Sequence, residues 1–290
     1  MSAQSRRNSK TRRSRSASGA SESENQITAR EAEDIEERSS PRTPVIYEIV
    51  SRLGEEEMAR PITSLWWSGV AAGLSISFSL LAQAIIQTHI PETPWRPLIS
   101  DFGYTVGFVM VVMSRQQLFT ENTITAVLPV IADLNIANLA KLTRMWAVVL
   151  VANFAGTLFA ALVCTFAPVL SLDLYHGMLD ISRQIIGHSF GEMFFRGVAA
   201  GYLIAAMVWL IPSAEGAQFF VVVLMTWLIP AGSFMHIIAG SVESFLLVLN
   251  GQLAWSAMIT GFVLPVLAGN IVGGTALFAL IAYAQVMKEI

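Results

Sequence analysis

One histidine and one threonine stand beside interruptions in otherwise apolar stretches of this chain. His236 follows the break Pro230–Ser233, and Thr120 follows the polar break Ser114–Gln117. An ionisable side chain is costly to place inside a membrane, so it marks a functional site there by default. A neutral imidazole donates a hydrogen bond to a passing anion, and a protonated one attracts the anion or hands over a proton. His236 is therefore the first candidate for a substrate-binding group.

The remaining polar and reactive side chains restrict the kinds of site that the sequence can form. The hydroxyl of Thr120 can bond a substrate or the ring of His236, or it can bond back to its own helix, and both interpretations stay open. We predict no metal site, because His236 has no second histidine nearby in the sequence and no carboxylate–histidine spacing. The single cysteine, Cys164, excludes an intrachain disulfide and a cysteine-based zinc site. With no nucleophile–base pair or phosphate loop, neither an enzyme nor a cofactor is predicted.

Bulky apolar residues accompany both breaks. Leu118 and Phe119 belong to the first, and Phe234 belongs to the second. We expect Phe119 and Phe234 at matching points of the two breaks, where they would form hydrophobic constrictions that exclude water. The alternative is ordinary core packing. Arg115 either pairs with Glu121 or lies at a pore entrance and attracts anions.

The composition indicates which solvent surrounds these residues. Hydrophobic residues make up 54% of the 290 residues and charged residues 13%, with a mean hydropathy of +0.57; a soluble domain carries about 25% charged residues. Residues 1–60 hold 11 Lys/Arg and 11 Asp/Glu, which leaves seven and ten for residues 61–290. So few charges cannot cover a surface in water, and lipid is the predicted solvent. The net charge of −3 gives no indication of a nucleic-acid partner.

Hydropathy predicts an all-α membrane protein with six transmembrane helices in residues 61–290. The predicted spans are Ile62–Ile86, Phe102–Ile131, Thr143–Phe166, Met193–Ile211, Ala217–Leu249 and Ala257–Val286. The second and fifth contain the two breaks. Residues 1–44 are too polar to fold and are predicted to be a disordered tail, and residues 45–60 an amphipathic lead-in helix. An even number of spans puts both termini on the same side of the membrane. The arginine-rich tail indicates that this side is the cytoplasm.

The six spans divide into two similar halves. Residues 69–73, Gly-Val-Ala-Ala-Gly, recur as residues 197–201, and Asn153 is echoed by Asn270. A repeat unit of three spans enters the membrane the second time from the opposite side, which gives an inverted 3+3 repeat. Unwound backbone is tolerated at mid-membrane only where it is buried in protein or lines a cavity. The breaks therefore predict a pore, and the two asparagines either tie helices together or reach that pore.

Four blocks of the sequence resemble the formate/nitrite transporter family over about residues 58–287. The blocks are Leu118–Thr120, Phe234–Ala239, Gly197–Trp209 and Leu264–Gly274. The resemblance extends to a branch of bacterial inner-membrane proteins within that family. It implies an aquaporin-like six-span protomer, a homopentamer with one pore per subunit, and passage of small monovalent anions or their acids, such as formate, nitrite or hydrosulfide.

The resemblance also implies roles for individual residues. His236 matches the central pore histidine, Thr120 its hydroxyl partner and Asn270 a polar pore residue, while Phe119 and Phe234 stand at or beside the constrictions.

The sequence departs from the family pattern around these positions. The small–small–acidic pattern usual before the first-break motif is replaced by residues 115–117, Arg-Gln-Gln. Met235, Gly201 and Gly240 stand where the family usually has polar side chains.

The leading prediction is a passive or proton-coupled channel for small anions. Desolvating a bare anion is costly, so the anion would cross the constriction neutralised by a proton or by hydrogen bonds from His236 and Thr120. Two alternatives stay open. A pore for water or small neutral solutes is disfavoured because neither break contains an Asn-Pro-Ala motif. A non-conducting scaffold would use the charged tail to recruit a partner.

Overall fold

The computed structural model describes residues 41–289, and this part of the chain is built from helices joined by short connections. In chain order the helices are α1 (Thr43–Ala59), α2 (Ile62–His89), α3 (Arg96–Met113), α4 (Val127–Ala132), α5 (Ile136–Phe166), α6 (Leu172–Ser182), α7 (Phe190–Leu210), α8 (Gln218–Ala231), α9 (Ala239–Leu249) and α10 (Trp255–Val286). The α10 helix contains two π-helical stretches, Ile259–Val263 and Val272–Ala279. The tail predicted at residues 1–44 lies, as far as residue 40, outside the described residues.

Four helices, α2, α5, α7 and α10, are long and apolar enough to cross a membrane. At about 1.5 Å per residue, the 28 residues of α2 extend about 42 Å, which exceeds the roughly 30 Å of a bilayer's hydrocarbon core. These helices correspond to the first, third, fourth and sixth predicted spans. The stretches predicted as the second and fifth spans are each divided between two shorter helices, α3 with α4 and α8 with α9.

The α3 and α8 helices end in the same way. Arg115 has a φ of 51° and Ser233 a φ of 54°, a left-handed conformation that residues other than glycine adopt rarely. One residue further on, the backbone N–H of Gln116 donates to the carbonyl of Val111 at 3.0 Å, and the N–H of Phe234 makes the equivalent bond at 2.8 Å. This is the Schellman pattern of helix termination, so both helices stop through local backbone hydrogen bonding.

Helix pairs α2–α5 and α7–α10 make equivalent close contacts. A Cβ atom added to Gly73 would lie 2.2 Å from the carbonyl oxygen of Asn153, and one added to Gly201 would lie 2.3 Å from that of Asn270. The backbones are therefore in direct contact, which only glycine permits at these positions. The repeated Gly-Val-Ala-Ala-Gly sequence thus corresponds to a repeated helix–helix contact.

The α1 helix covers the segment that follows α3. The hydroxyl of Tyr47 donates to the carbonyl of Leu128 at 3.4 Å. The carboxylate of Glu57 accepts from Gln117 Nε2 at 2.9 Å and from Thr125 Oγ1 at 2.7 Å. Burial raises the pKa of Glu57 above its ordinary value, although these two hydrogen bonds oppose the shift. The lead-in helix is therefore attached through a partly buried carboxyl group.

The raised pKa of Glu57 predicts that α1 is held less firmly as pH rises. The docked state binds more protons than a detached helix would, so docking is strongest at low pH and weakens as pH rises through the raised pKa. Glu57→Gln keeps an acceptor for Gln117 but carries no charge. We expect hydrogen exchange of the α1 amides to show this variant better protected than wild type at about pH 8 and similar to it at about pH 5.

Glu55→Gln is the matched control, because Glu55 is exposed on the same helix and is not among the groups that shift the pKa of Glu57, so it should change neither value. Equal protection of the Glu57→Gln and wild-type helices at both pH values would contradict this account of α1.

Candidate functional site

The side chains of His236 and Thr120 meet in the interior of the protein. The distance between His236 Nε2 and Thr120 Oγ1 is 2.7 Å, and the two residues are only 2% and 0% exposed. Thr120 is 116 residues from His236 along the chain and follows α3, whereas His236 lies between α8 and α9. The segments after α3 and α8 therefore converge at one buried point.

Hydrogen bonding fixes the tautomer of the His236 ring. The backbone N–H of Ala239 donates to His236 Nδ1 at 3.2 Å. An amide N–H can only donate, so Nδ1 carries a lone pair, and in the neutral ring the proton is on Nε2. Nε2–H then donates to Thr120 Oγ1, which leaves the hydroxyl hydrogen of Thr120 free to bond another acceptor. The hydroxyl thus contacts the ring, the first of the interpretations open for Thr120.

Asn153 holds the segment after α3. Its Oδ1 accepts from the backbone N–H of Phe119 at 2.9 Å. Its Nδ2 donates to the carbonyls of Gly69 at 2.8 Å and Gln117 at 2.9 Å. One side chain therefore ties α2, α5 and the chain leaving α3 together, and it satisfies buried backbone groups that have left the helical pattern.

Asn270 does the same for the segment after α8. Its Oδ1 accepts from the backbone N–H of Ile237 at 2.9 Å, and its Nδ2 donates to the carbonyls of Gly197 at 2.8 Å and Met235 at 2.9 Å. Both amide hydrogens of this fully buried side chain are thus occupied by backbone. These contacts describe a tie between helices, while direct contact of Asn270 with a substrate stays a prediction.

The asparagine contacts define which residues of the two segments correspond. Phe119 corresponds to Ile237, since both donate through the backbone to the asparagine Oδ1. Counting from that pair, His236 corresponds to Leu118, and Phe234 to Gln116. The structure therefore corrects the expected match of Phe119 with Phe234. The two breaks share backbone geometry rather than side-chain type. Matching the two phenylalanines by residue type therefore gave the wrong alignment of the two segments.

The bulky residues at the breaks have different surroundings. Phe119 is 1% exposed and packs edge-on against Trp146, with ring centroids 5.7 Å apart. Leu118 is fully buried. Phe234 is partly exposed, and its ring lies so close to Gly232 that a Cβ there would be 2.5 Å from it. Phe234 therefore covers the end of α8.

Of the two alternatives for Arg115, the structure does not show the ion pair with Glu121. Its side chain is exposed, and among the described residues no ion pair joins it to Glu121. Glu121 instead has a buried Oε1 with no hydrogen-bond partner. Arg115 thus stays available to solvent at the end of α3.

A cavity of about 410 Å³ lies on the Phe234 side of His236. The polar and charged side chains that line it beside His236 are Gln83, Tyr104, Gln184, His188, Arg196, Ser233 and Glu243. A second cavity, of about 660 Å³, shares Gln83, Gln184 and Ser233 with it. The first cavity reaches the buried histidine, so a small polar solute could approach the His236–Thr120 pair from this side.

The sequence model of the formate/nitrite transporter family matches residues 44–284. The chain belongs to the formate/nitrite transporter family. It is 43% identical over 268 residues to the inner membrane protein YfdC of Escherichia coli strain K12, an alignment that covers 92% of this chain and 86% of that protein. It is 26% identical over 241 residues to the formate channel FocA of Haemophilus influenzae, which covers 74% of this chain and 84% of that protein.

Two solved structures share the fold of this formate/nitrite transporter family member. A pentameric formate channel with formate bound superposes with a TM-score of 0.65 at 21% identity and covers 78% of this chain and 98% of its own. An FNT family ion channel superposes with a TM-score of 0.69 at 18% identity and covers 84% and 98%. The resemblance found in the sequence is confirmed, and so is the prediction that the chain is a transporter-type protein rather than an enzyme.

Several residues of this family member's cavity were not found by sequence reasoning. Tyr104 lies in α3, whereas His188 directly precedes α7 and Arg196 lies within α7. Their meeting in one cavity depends on how α3 and α7 are placed, which no spacing in the sequence indicates. Glu243 falls inside the fifth predicted span, but its neighbours cannot be inferred from spacing.

The asparagine ties predict matched losses of stability. Asn153→Leu and Asn270→Leu each keep the branching of the side chain but leave one buried N–H and one buried carbonyl outside the helices without a partner, and each such group costs about 1–3 kcal/mol. We expect both variants to unfold at clearly lower temperature than wild type in detergent, by similar amounts. Gln252→Leu, which removes an exposed amide, should unfold close to wild type. An unchanged unfolding temperature for either asparagine variant would count against the ties.

Proposed function

We propose that this protein is a channel for small monovalent anions or their weak acids, and that solute passes the buried pair His236–Thr120. The observation that carries the proposal is the 2.7 Å contact between these two side chains, at the point where two asparagine-held segments meet. Membership of the formate/nitrite transporter family supports it. The names of the similar formate channels support formate as the first solute to test.

We further propose that the protomer has six spans in an inverted 3+3 arrangement like that of aquaporins. The α3–α4 and α8–α9 stretches would each cross the membrane as a discontinuous span. The equivalent helix ends at Arg115 and Ser233 support this arrangement, and so do the equivalent contacts of Asn153 and Asn270. The non-helical backbone at each break would then lie in the middle of the membrane and be buried by protein. This burial is required there because the hydrocarbon offers no hydrogen-bond partners.

The proposed mechanism lowers the cost of moving a charge through apolar surroundings. Leu118 and Phe119 would form a constriction on one side of the pair and Phe234 one on the other, where water is excluded. A bare anion is expensive to desolvate. The free hydroxyl hydrogen of Thr120, polarised by His236 Nε2–H, would donate to the anion or to its protonated form. Arg115 would attract anions at the entrance.

The proposed assembly is a homopentamer in the bacterial inner membrane, with both termini in the cytoplasm. The similar pentameric formate channel supports the assembly, and the inner membrane protein YfdC supports the location. Large apolar side chains on the outside of the protomer, such as Trp67 at 69%, Phe195 at 71% and Phe220 at 69% exposed, suit contact with lipid or with neighbouring subunits.

Formate flux into proteoliposomes tests the role of the pair. Thr120→Val keeps the shape of the side chain but removes the donor. A hydrogen bond to a charged group contributes about 1.5–3 kcal/mol, so we expect flux to fall by about tenfold or more at every pH. His236→Ala should change the pH dependence of flux, because it removes both the ring proton and its bond to Thr120.

One control variant and two contradicting results complete this test. Thr88→Val removes a hydroxyl that bonds the carbonyl of Ala84 within its own helix, and it should leave flux unchanged. Unchanged flux in His236→Ala at every pH would remove the histidine from the mechanism. A wild-type protein that passes water or neutral solutes but neither formate nor nitrite would overturn the proposed anion function.

A further inference from the structure

An acidic side chain opens into the same cavity as His236. Glu243 lies in α9, and the backbone N–H of Gly240 donates to the carbonyl of His236 at 2.9 Å, so the helical register begins at the histidine. Residues at positions i, i+4 and i+7 share one helix face. His236, Gly240 and Glu243 therefore form one wall of the 410 Å³ cavity.

Glu243 shares the cavity with one permanent positive charge. Arg196 of α7 also lines the cavity, and its Nη1 lies 3.1 Å from Nε2 of the neighbouring His188. Among the described residues, neither Glu243 nor Arg196 has an ion-pair partner within 4.0 Å. With Glu243 ionised the two charges offset each other for a solute in the cavity, and with Glu243 protonated the charge of Arg196 remains.

No other titratable group near Glu243 supplies a second carboxyl group to the described lining of the cavity. Tyr104 and His236 line the same cavity and are buried. Asp101 lines the neighbouring cavity and accepts from Gln83 Nε2 at 3.1 Å. Asp180 of α6 and Arg183, which directly follows α6, pair with each other at the exposed surface. Glu243 is thus the only carboxyl group among the described lining residues of the cavity.

The wall between His236 and Glu243 has no room for another polar side chain. A Cβ atom on Gly240 would lie 2.6 Å from Cζ of Phe262, which is 1% exposed. The Phe262 ring therefore occupies the space beside the backbone there. Low-polarity surroundings lengthen the reach of a charge, so the charge of Glu243 acts on the whole approach to His236.

We propose that Glu243 is a specificity-determining residue, which must take up a proton before a small anion can accumulate beside His236. This inference rests on the proposed function. With Glu243 ionised, its charge offsets that of Arg196 and the anion gains nothing by entering. Once a proton from the bulk binds the carboxylate, Arg196 is uncompensated and the anion is attracted. Proton binding and anion entry are therefore linked, and a proton and an anion occupy the cavity together.

The ratio of formate flux in Glu243→Gln to flux in wild type tests the proposal, because the ratio cancels the changing fraction of formic acid in solution. The variant mimics the protonated carboxyl. We expect a ratio of about ten at about pH 8, falling towards one at about pH 5. Osmotic water permeability serves as the internal control and should be equal in both proteins. Glu92→Gln, at an exposed carboxyl group, should give a ratio near one throughout.

The double variant Glu243→Gln/Arg196→Gln should lose the gain in formate flux that Glu243→Gln shows, because the positive charge of Arg196 is gone. If Glu243→Gln fails to fold, Glu243→Asp takes its place in the test. This variant keeps a titratable group and should retain the pH profile of wild type. A Glu243→Gln ratio of one at every pH, or a gain shared equally by water, would overturn the inference while leaving the channel proposal intact. Absence of formate and nitrite flux in wild type would instead overturn the proposed function.

Discussion

The structure depends on how backbone groups that leave a helix are satisfied in the protein interior. After α3 and α8 the chain is buried without helical hydrogen bonds, and an unmatched amide or carbonyl there would be costly. Asn153 and Asn270 resolve this by accepting from one N–H and donating to two carbonyls each. Every other feature of the site follows from where these two side chains hold the backbone.

The asparagines can reach the backbone only because the helices approach closely. Gly73 and Gly201 bring α2 against α5 and α7 against α10, with no space for a Cβ. This places Gly69 and Gly197 so that their carbonyls accept the asparagine amides. The segment after α8 then presents His236 to Thr120 at 2.7 Å. Packing of small residues therefore determines the chemistry of a site to which they contribute no side chain.

Much of this was predictable from sequence, because it depends on hydropathy and on repeated small residues. The four long helices, the two interruptions, the resemblance to the family and the His236–Thr120 pair all leave local signals. The sequence carries no signal for which residues of the two breaks correspond. Phe119 corresponds to Ile237, and the feature they share is a backbone hydrogen bond to an asparagine, which does not depend on the type of side chain. The partners in the cavity, such as Arg196, also come from elements whose contacts no spacing reveals.

The central claim is that the held backbone fixes His236 as a neutral ring that donates from Nε2 to Thr120. Nitrogen-15 NMR of histidine-labelled protein in lipid measures this directly, with His236→Ala identifying the signal among the four histidines of the chain. We expect an unprotonated Nδ1 and a protonated Nε2 at neutral pH, and a changed chemical shift of Nε2 in Thr120→Val. A ring protonated on Nδ1, or on both nitrogens, would contradict it.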